Sequence, residues 1–156
     1  MVKENDNIPE LNLCIVSGGK TEQVNASELF QGKTVLFGLP GAYTPVCSKT
    51  QLPDFAKNYE QLKAKGYQKI ICMSVNDAFV MQAWKEQVAP SVDIIMLADG
   101  SAKFTKLLGL ELDLSDHHMG IRCKRFLMVV ENGKVLSLSV EDNSSNCSVS
   151  AVDNLL

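Results

Sequence analysis

Between residues 33 and 98, three short apolar runs alternate with two stretches whose apolar residues recur at helical spacing. This alternation limits the fold more than any other feature of the chain. Lys33-Thr34-Val35-Leu36-Phe37-Gly38 is an apolar run closed by glycine and proline, the pattern of a buried strand. Leu52, Phe55, Ala56, Tyr59 and Leu62 then mark one face of a helix that Gly66 stops. The pattern next predicts a strand at 70–75, a helix carrying Val80, Met81, Trp84 and Val88 that ends at Pro90, and a strand at 93–98. Strands separated by helices lie parallel, joined by crossovers.

Two hairpins flank this core. Residues 11–16 and 21–24 enclose Ser17-Gly18-Gly19-Lys20, and residues 126–130 and 135–140 enclose Glu131-Asn132-Gly133-Lys134, whose Asn-Gly is the strongest hairpin signal in the chain. Ser101 is placed to cap a short helix through Leu108, and residues 148–156 suit a short closing helix. Asn76-Asp77 after a strand reads as a helix cap. The polar run 142–146 is the one candidate flexible loop. With no internal repeat or linker, residues 1–156 are expected to form one α/β domain with a mixed sheet, antiparallel where the hairpins contribute.

The balance of 15 basic against 18 acidic residues, a net charge of −3, excludes an obvious phosphate-binding surface, so nucleic acid is not an expected partner. No apolar run approaches the length of a membrane span. No Gly-x-Gly-x-x-Gly or phosphate-loop motif supports nucleotide binding. The five cysteines, Cys14, Cys47, Cys72, Cys123 and Cys147, are odd in number and show no Cys-x-x-Cys spacing. Neither a disulfide framework nor a zinc site fits, and a reducing, intracellular setting does. His117 and His118 are adjacent, so they point apart and complete no metal site. The polar, acidic start Met1-Val2-Lys3-Glu4 carries neither a secretory nor a transit pattern, so a cytoplasmic location is expected, or an organellar one if a presequence was removed.

The loop Pro40-Gly41-Ala42-Tyr43-Thr44-Pro45-Val46-Cys47 lies between the C-terminal end of a strand and the start of an amphipathic helix, where open α/β sheets place their ligand sites. A thiol in the first turn of a helix faces free N–H groups that favour the thiolate, which makes Cys47 a candidate nucleophile; the plainer alternative is an inert core cysteine. Only two of the 15 basic residues are arginine, Arg122 and Arg125. Arg125 opens the strand at 126–130 and so emerges at the same sheet edge, where a guanidinium would offer fixed, forked donors to a sulfur or an oxygen substrate. Arg122 reads as a surface residue.

Pro40-x-x-x-Thr44-x-x-Cys47 matches the active-site motif of the peroxiredoxins, and the stretch from Phe37 to Thr50 resembles the type II/type V (atypical two-Cys) subgroup. The resemblance continues through residues 71–84, Leu97-Ala98-Asp99-Gly100 and Lys124-Arg125-Phe126, and so covers nearly the whole chain. It implies a thioredoxin-like fold, a mixed central sheet flanked by helices, and a thiol-dependent peroxidase that needs no metal, haem or flavin.

Carried over residue by residue, the resemblance makes Cys47 the peroxidatic cysteine, Thr44 its activating threonine, Pro40 the residue that shields the thiolate, and Arg125 the active-site arginine. Gly41, Val46 and Met119 are expected around the substrate, with the Val46 and Cys47 N–H groups on a peroxide oxygen and Met119, in a loop before Arg125, as an apolar wall. The Cys47 thiolate would attack hydrogen peroxide or an alkyl hydroperoxide and become a sulfenic acid. Three routes would then restore it. Cys147 sits where type V proteins carry a resolving cysteine; Cys72 has the spacing of plant type II proteins but lies in a strand; and an external thiol, glutathione/glutaredoxin or thioredoxin, would serve otherwise. Cys14 and Cys123 gain no role, Cys123 reading as exposed. A homodimer through the face near the site is implied as well. Two other functions compete: a thiol-disulfide oxidoreductase, which lacks its first cysteine because Thr44 stands there, and a non-catalytic redox interaction module.

Overall fold

A computed structural model describes all residues, Met1 to Leu156. Seven strands form one sheet in the order β2-β1-β5-β4-β3-β8-β9. They are β1 (Asn12–Ser17), β2 (Lys20–Asn25), β3 (Lys33–Gly38), β4 (Lys69–Ser74), β5 (Ile95–Ala98), β8 (Phe126–Glu131) and β9 (Lys134–Val140). Strands β3, β4 and β5 run parallel, and the remaining pairings are antiparallel. The mixed sheet read from the sequence is therefore present. Both hairpin turns have the geometry their residues favour, with positive φ at Gly18 and Gly19 (58° and 78°) and at Asn132 and Gly133 (48° and 79°).

Helices cover both faces, which is why the central strands are apolar throughout rather than alternating. On one face Val35, Phe37, Ile70, Cys72 and Met96 pack against α2 (Leu52–Lys57), α3 (Tyr59–Ala64) and α4 (Ala78–Val88). The rings of Phe37 and Phe55 stack there with centroids 4.0 Å apart. On the other face Leu36, Ile71, Met73 and Leu97 meet Leu29 of α1 (Ala26–Leu29) and Phe104 and Leu108 of α5 (Lys103–Leu108). No helix is long and apolar enough to cross a membrane.

Four local expectations are corrected. The helix expected from Leu52 to Gly66 is interrupted at Asn58, whose side-chain amide donates to the Asp54 carbonyl and competes with the backbone ladder. Ser101 caps nothing: Ala102 occupies the cap of α5 at φ 60°, and the Asp99 carboxylate reaches forward to the N–H groups of Phe104 and Thr105. The loop expected around Met119-Gly120-Ile121 includes half of a third hairpin, β6 (Glu111–Leu114) with β7 (Gly120–Cys123), joined through a 3-10 turn at Ser115–His117. The closing helix is reduced to a 3-10 turn at Val152–Leu155.

Candidate active site

The site is built where β3 ends. Leu39 still donates to the Met73 carbonyl of β4, and the chain then turns through residues 40–44, closed by the Thr44 N–H on the Gly41 carbonyl at 3.3 Å. Two side chains hold this turn from outside. Asn76 Oδ1 accepts from the Ala42 N–H at 3.0 Å and from the Ser74 hydroxyl at 2.6 Å, while Asp77, the other half of the pair read as a cap, takes the Val80 N–H. Arg122, read from sequence as a surface residue, is half-buried instead. Its Nε donates to the Met119 carbonyl at 2.8 Å and its Nη1 to the Val75 and Pro40 carbonyls at 3.3 and 3.5 Å. Gly41 fits this closeness: a Cβ there would lie 3.1 Å from Arg122 Nη1 and 3.3 Å from Thr44 Cγ2, so a larger residue would press on both side chains.

Cys47 follows, fully buried, at the start of a π turn that spans Cys47–Gln51. The Leu52 N–H reaches back five residues to the Cys47 carbonyl. Pro53 accounts for the widened turn: it has no N–H to give, and in an α ladder its ring would crowd the carbonyl four residues earlier, at Lys49. Trp84 braces the turn from α4 by donating Nε1–H to the Ser48 hydroxyl at 2.9 Å.

Arg125, just before β8, is 2% exposed and spreads three bonds into the site. Nη2 donates to Cys47 Sγ at 3.1 Å, Nη1 to Gln51 Oε1 at 2.6 Å and Nε to the Ser144 carbonyl at 3.0 Å. Gln51 was not recognisable as a partner from type alone. Its signal was position: four residues after Cys47 and four before Phe55, it is a polar side chain on a buried stripe. The 142–146 run, expected to be a flexible loop, is tied down by Ser144 on Arg125 and by the Ser145 N–H on Asn143 Oδ1.

An open cleft of about 920 Å³ leads to this cluster. Pro40, Thr44, Val46, Met119 and Arg125 all line it, with Leu112 and Leu114 of β6 extending the apolar side. Gly41 does not line it, and Cys47 lies behind the lining, reached through Arg125. The Thr44 hydroxyl donates to the Gly41 carbonyl at 2.7 Å, so its oxygen keeps acceptor capacity toward the cleft.

The other cysteines occupy distinct environments. Cys72 and Cys123 are fully buried, and burial pushes both thiols up; the exposure expected for Cys123 is overturned because, at the end of β7, it packs into the core cluster that holds Phe104, Leu108, Leu110 and Phe126. Cys147 is half-buried, and its thiol is also raised, by burial against the opposing pull of the Ser150 hydroxyl and of Arg125. All five cysteines are free thiols. No group of three or more His, Cys, Asp or Glu side chains is placed to hold a metal ion.

A sheet of this order with a buried cysteine on the helix after its central strand defines a thioredoxin-like redox protein, and the comparisons specify which kind. The Redoxin family model matches residues 3–156. The chain is 41% identical to peroxiredoxin-2D of Arabidopsis thaliana over 153 residues, 98% of this chain and 86% of that protein. It is 45% identical to peroxiredoxin-2C of Oryza sativa subsp. japonica over 139 residues, 88% of this chain and 86% of that protein. The crystal structure of reduced Prx3 from Vibrio vulnificus in complex with H2O2 superposes with a TM-score of 0.92 at 41% identity, covering 99% of this chain and 96% of that one. The chain belongs to the peroxiredoxin family, type II, and is a thiol-dependent peroxidase. Its relatives include chloroplastic and mitochondrial forms.

Proposed function

We propose that Cys47 is the peroxidatic residue and that it reduces hydrogen peroxide and alkyl hydroperoxides entering through the 920 Å³ cleft. The observation that carries this reading is the Arg125–Cys47 contact of 3.1 Å. A buried guanidinium calls for a compensating anion, and its other two partners are neutral oxygens, so the group that answers it is the Cys47 sulfur as thiolate. The thiolate attacks the terminal oxygen of R–O–O–H. The S–O bond forms, the O–O bond breaks, and RO⁻ leaves and takes up a proton, so that sulfur is oxidised by two electrons and the peroxide reduced to ROH and a sulfenic acid.

Thr44 accepts the hydroperoxide O–H on its free lone pair while its own hydrogen stays on Gly41, and Arg125 offsets charge on the breaking O–O bond. Pro40 shields the thiolate from bulk water. Val46 and Met119 supply apolar contact, which supports organic as well as inorganic peroxides as substrates. Gly41 acts through Thr44 rather than on the substrate. Turnover with a thiol reductant that is lost in Cys47→Ser and kept in Cys72→Ser is the expected result; unchanged turnover in Cys47→Ser would overturn the assignment.

Resolution is assigned to Cys147. Cys72 shares the buried face of Cys47, but it is fixed in β4 between β3 and β5, carried by no loop, and burial holds its thiol protonated. Cys147 lies in a loop within the field of Arg125. The disulfide is then reduced by an external thiol, thioredoxin or glutathione with glutaredoxin. We read residues 1–156 as one functional unit in the cytoplasm, a reading its free thiols support because they suit a reducing compartment. A homodimer through the face bearing Tyr43 and Phe79, exposed by 51% and 87%, would cover apolar surface beside the site, and sedimentation tests it.

A further inference from the structure

Glu141 follows β9 directly and is buried, yet its carboxylate faces four donors. Oε2 accepts the backbone N–H groups of Ser148 and Ser150 at 2.8 and 2.7 Å and the Ser150 hydroxyl at 2.5 Å, and Oε1 accepts the Ser148 hydroxyl at 3.1 Å. Burial by itself would raise this carboxyl; the bonds from Ser150 and Ser148 outweigh it and hold it below its ordinary value. Cys147 immediately precedes the clasped residues. At the other end of the same stretch, Arg125 Nε holds the Ser144 carbonyl at 3.0 Å, and the Glu141 N–H itself donates to the Arg125 carbonyl at 3.0 Å. Residues 144–150 are thus pinned at both ends to Arg125 and its neighbour across the β8–β9 pair, and Cys147 is the one ionisable side chain between the pins.

We propose that Glu141 is the positioning residue of the resolving step, its carboxylate clasping Ser148 and Ser150 so that Cys147 is presented beside the Arg125 end of the site. This rests on Cys147 being the resolving thiol. The step it serves joins Cys47–S–OH and Cys147–SH: the S–S bond forms, the S–O bond breaks, and the hydroxyl leaves with the Cys147 proton as water. Cys147 is oxidised as the sulfenic sulfur is reduced, and no further oxidant is consumed. A tether of this kind acts by raising the concentration of one thiol at the other, so its loss slows disulfide formation rather than peroxide attack.

The test is a rapid-mixing experiment on fully reduced protein with one equivalent of hydrogen peroxide, quenched with a thiol-blocking reagent, in which the rate of Cys47 oxidation and the rate of Cys47–Cys147 disulfide formation are read from the same samples. In Glu141→Gln the ratio of the second rate to the first is expected to fall about tenfold, because an amide nitrogen replaces one acceptor oxygen and faces the serine donors. The Ser148→Ala variant keeps the carboxylate, the backbone bonds and the Ser150 hydroxyl that also faces Cys147 Sγ, and is expected to lower the ratio about twofold; it decides the matter if Glu141→Gln does not fold. A ratio equal to that of the wild type, including the case where both rates fall together, overturns the inference. A wild type that forms no Cys47–Cys147 disulfide overturns the resolving assignment and this inference with it, and is seen before any variant is compared.

Discussion

Arg125 Nη2 sits 3.1 Å from Cys47 Sγ, joining residues 78 positions apart in the chain and making the sulfur one of three acceptors on a single buried guanidinium. The other two, Gln51 and Ser144, fix the plane of that guanidinium, so the donor facing the sulfur is set before any substrate arrives.

Lysine keeps the charge of Arg125 but cannot address three acceptors in one plane. Arg125→Lys is therefore expected to slow Cys47 oxidation about 100-fold, the usual scale for losing a donor aimed at developing charge. The fluorescence of Trp84, the sole tryptophan and a hydrogen-bond partner of Ser48 next to Cys47, gives the rate directly.

Acid should loosen the 144–150 segment first. Glu141 is held below its ordinary 4.5 when folded, so its contribution is complete above that value and is lost as pH falls below it toward the folded-state value. Protection of the Ser148 and Ser150 amides in hydrogen exchange is expected to drop as pH falls below 4.5 while protection in β3 and β4 persists. Equal loss in both regions would contradict the role given to Glu141.

Alkali acts on the core. Unfolded thiols release their protons near 9.0, whereas burial holds Cys72 and Cys123 protonated well above that in the folded state. Their contribution is complete below pH 9 and is lost as pH rises past it, because ionisation then favours the unfolded chain. Thermal melts across pH 7–11 are expected to show Tm falling above pH 9, and Cys123→Ala, though less stable at pH 7, is expected to show a shallower fall.

Met119 stands on the apolar side of the cleft with Leu112 and Leu114. Met119→Ala is expected to raise KM for a bulky organic hydroperoxide about 5- to 10-fold while leaving hydrogen peroxide nearly unaffected, since only the larger substrate touches that wall. Parallel steady-state kinetics with both peroxides measure the difference.

The sequence was most legible where a local rule had no competitor. The apolar run of β3 ends at Gly38 as read, and Asn132-Gly133 turns the β8–β9 hairpin with the positive φ values those residues tolerate. The β6–β7 hairpin escaped because its strands are four residues long and half exposed, and because His118, not glycine or asparagine, takes the left-handed position at φ 60°. At the site, Pro40, Thr44, Val46, Met119 and Arg125 were nameable and the structure gathers them on one cleft. Arg122, Gln51, Asn76 and Glu141 were not, since each works through backbone or long-range partners: Arg122 through three carbonyls on separate segments, Glu141 through serines seven and nine residues ahead. Polarity alone could not tell these residues from solvated ones.

Two roles are assigned to separate thiols, peroxide attack to Cys47 and closure of the cycle to Cys147. Treating reduced protein with one equivalent of hydrogen peroxide, blocking the remaining thiols and mapping the peptides without reduction tests both at once. Cys47 is expected to be consumed first and recovered in a disulfide with Cys147, with Cys72 and Cys123 still reduced. Cys47 left as a free thiol while another cysteine is oxidised would contradict it.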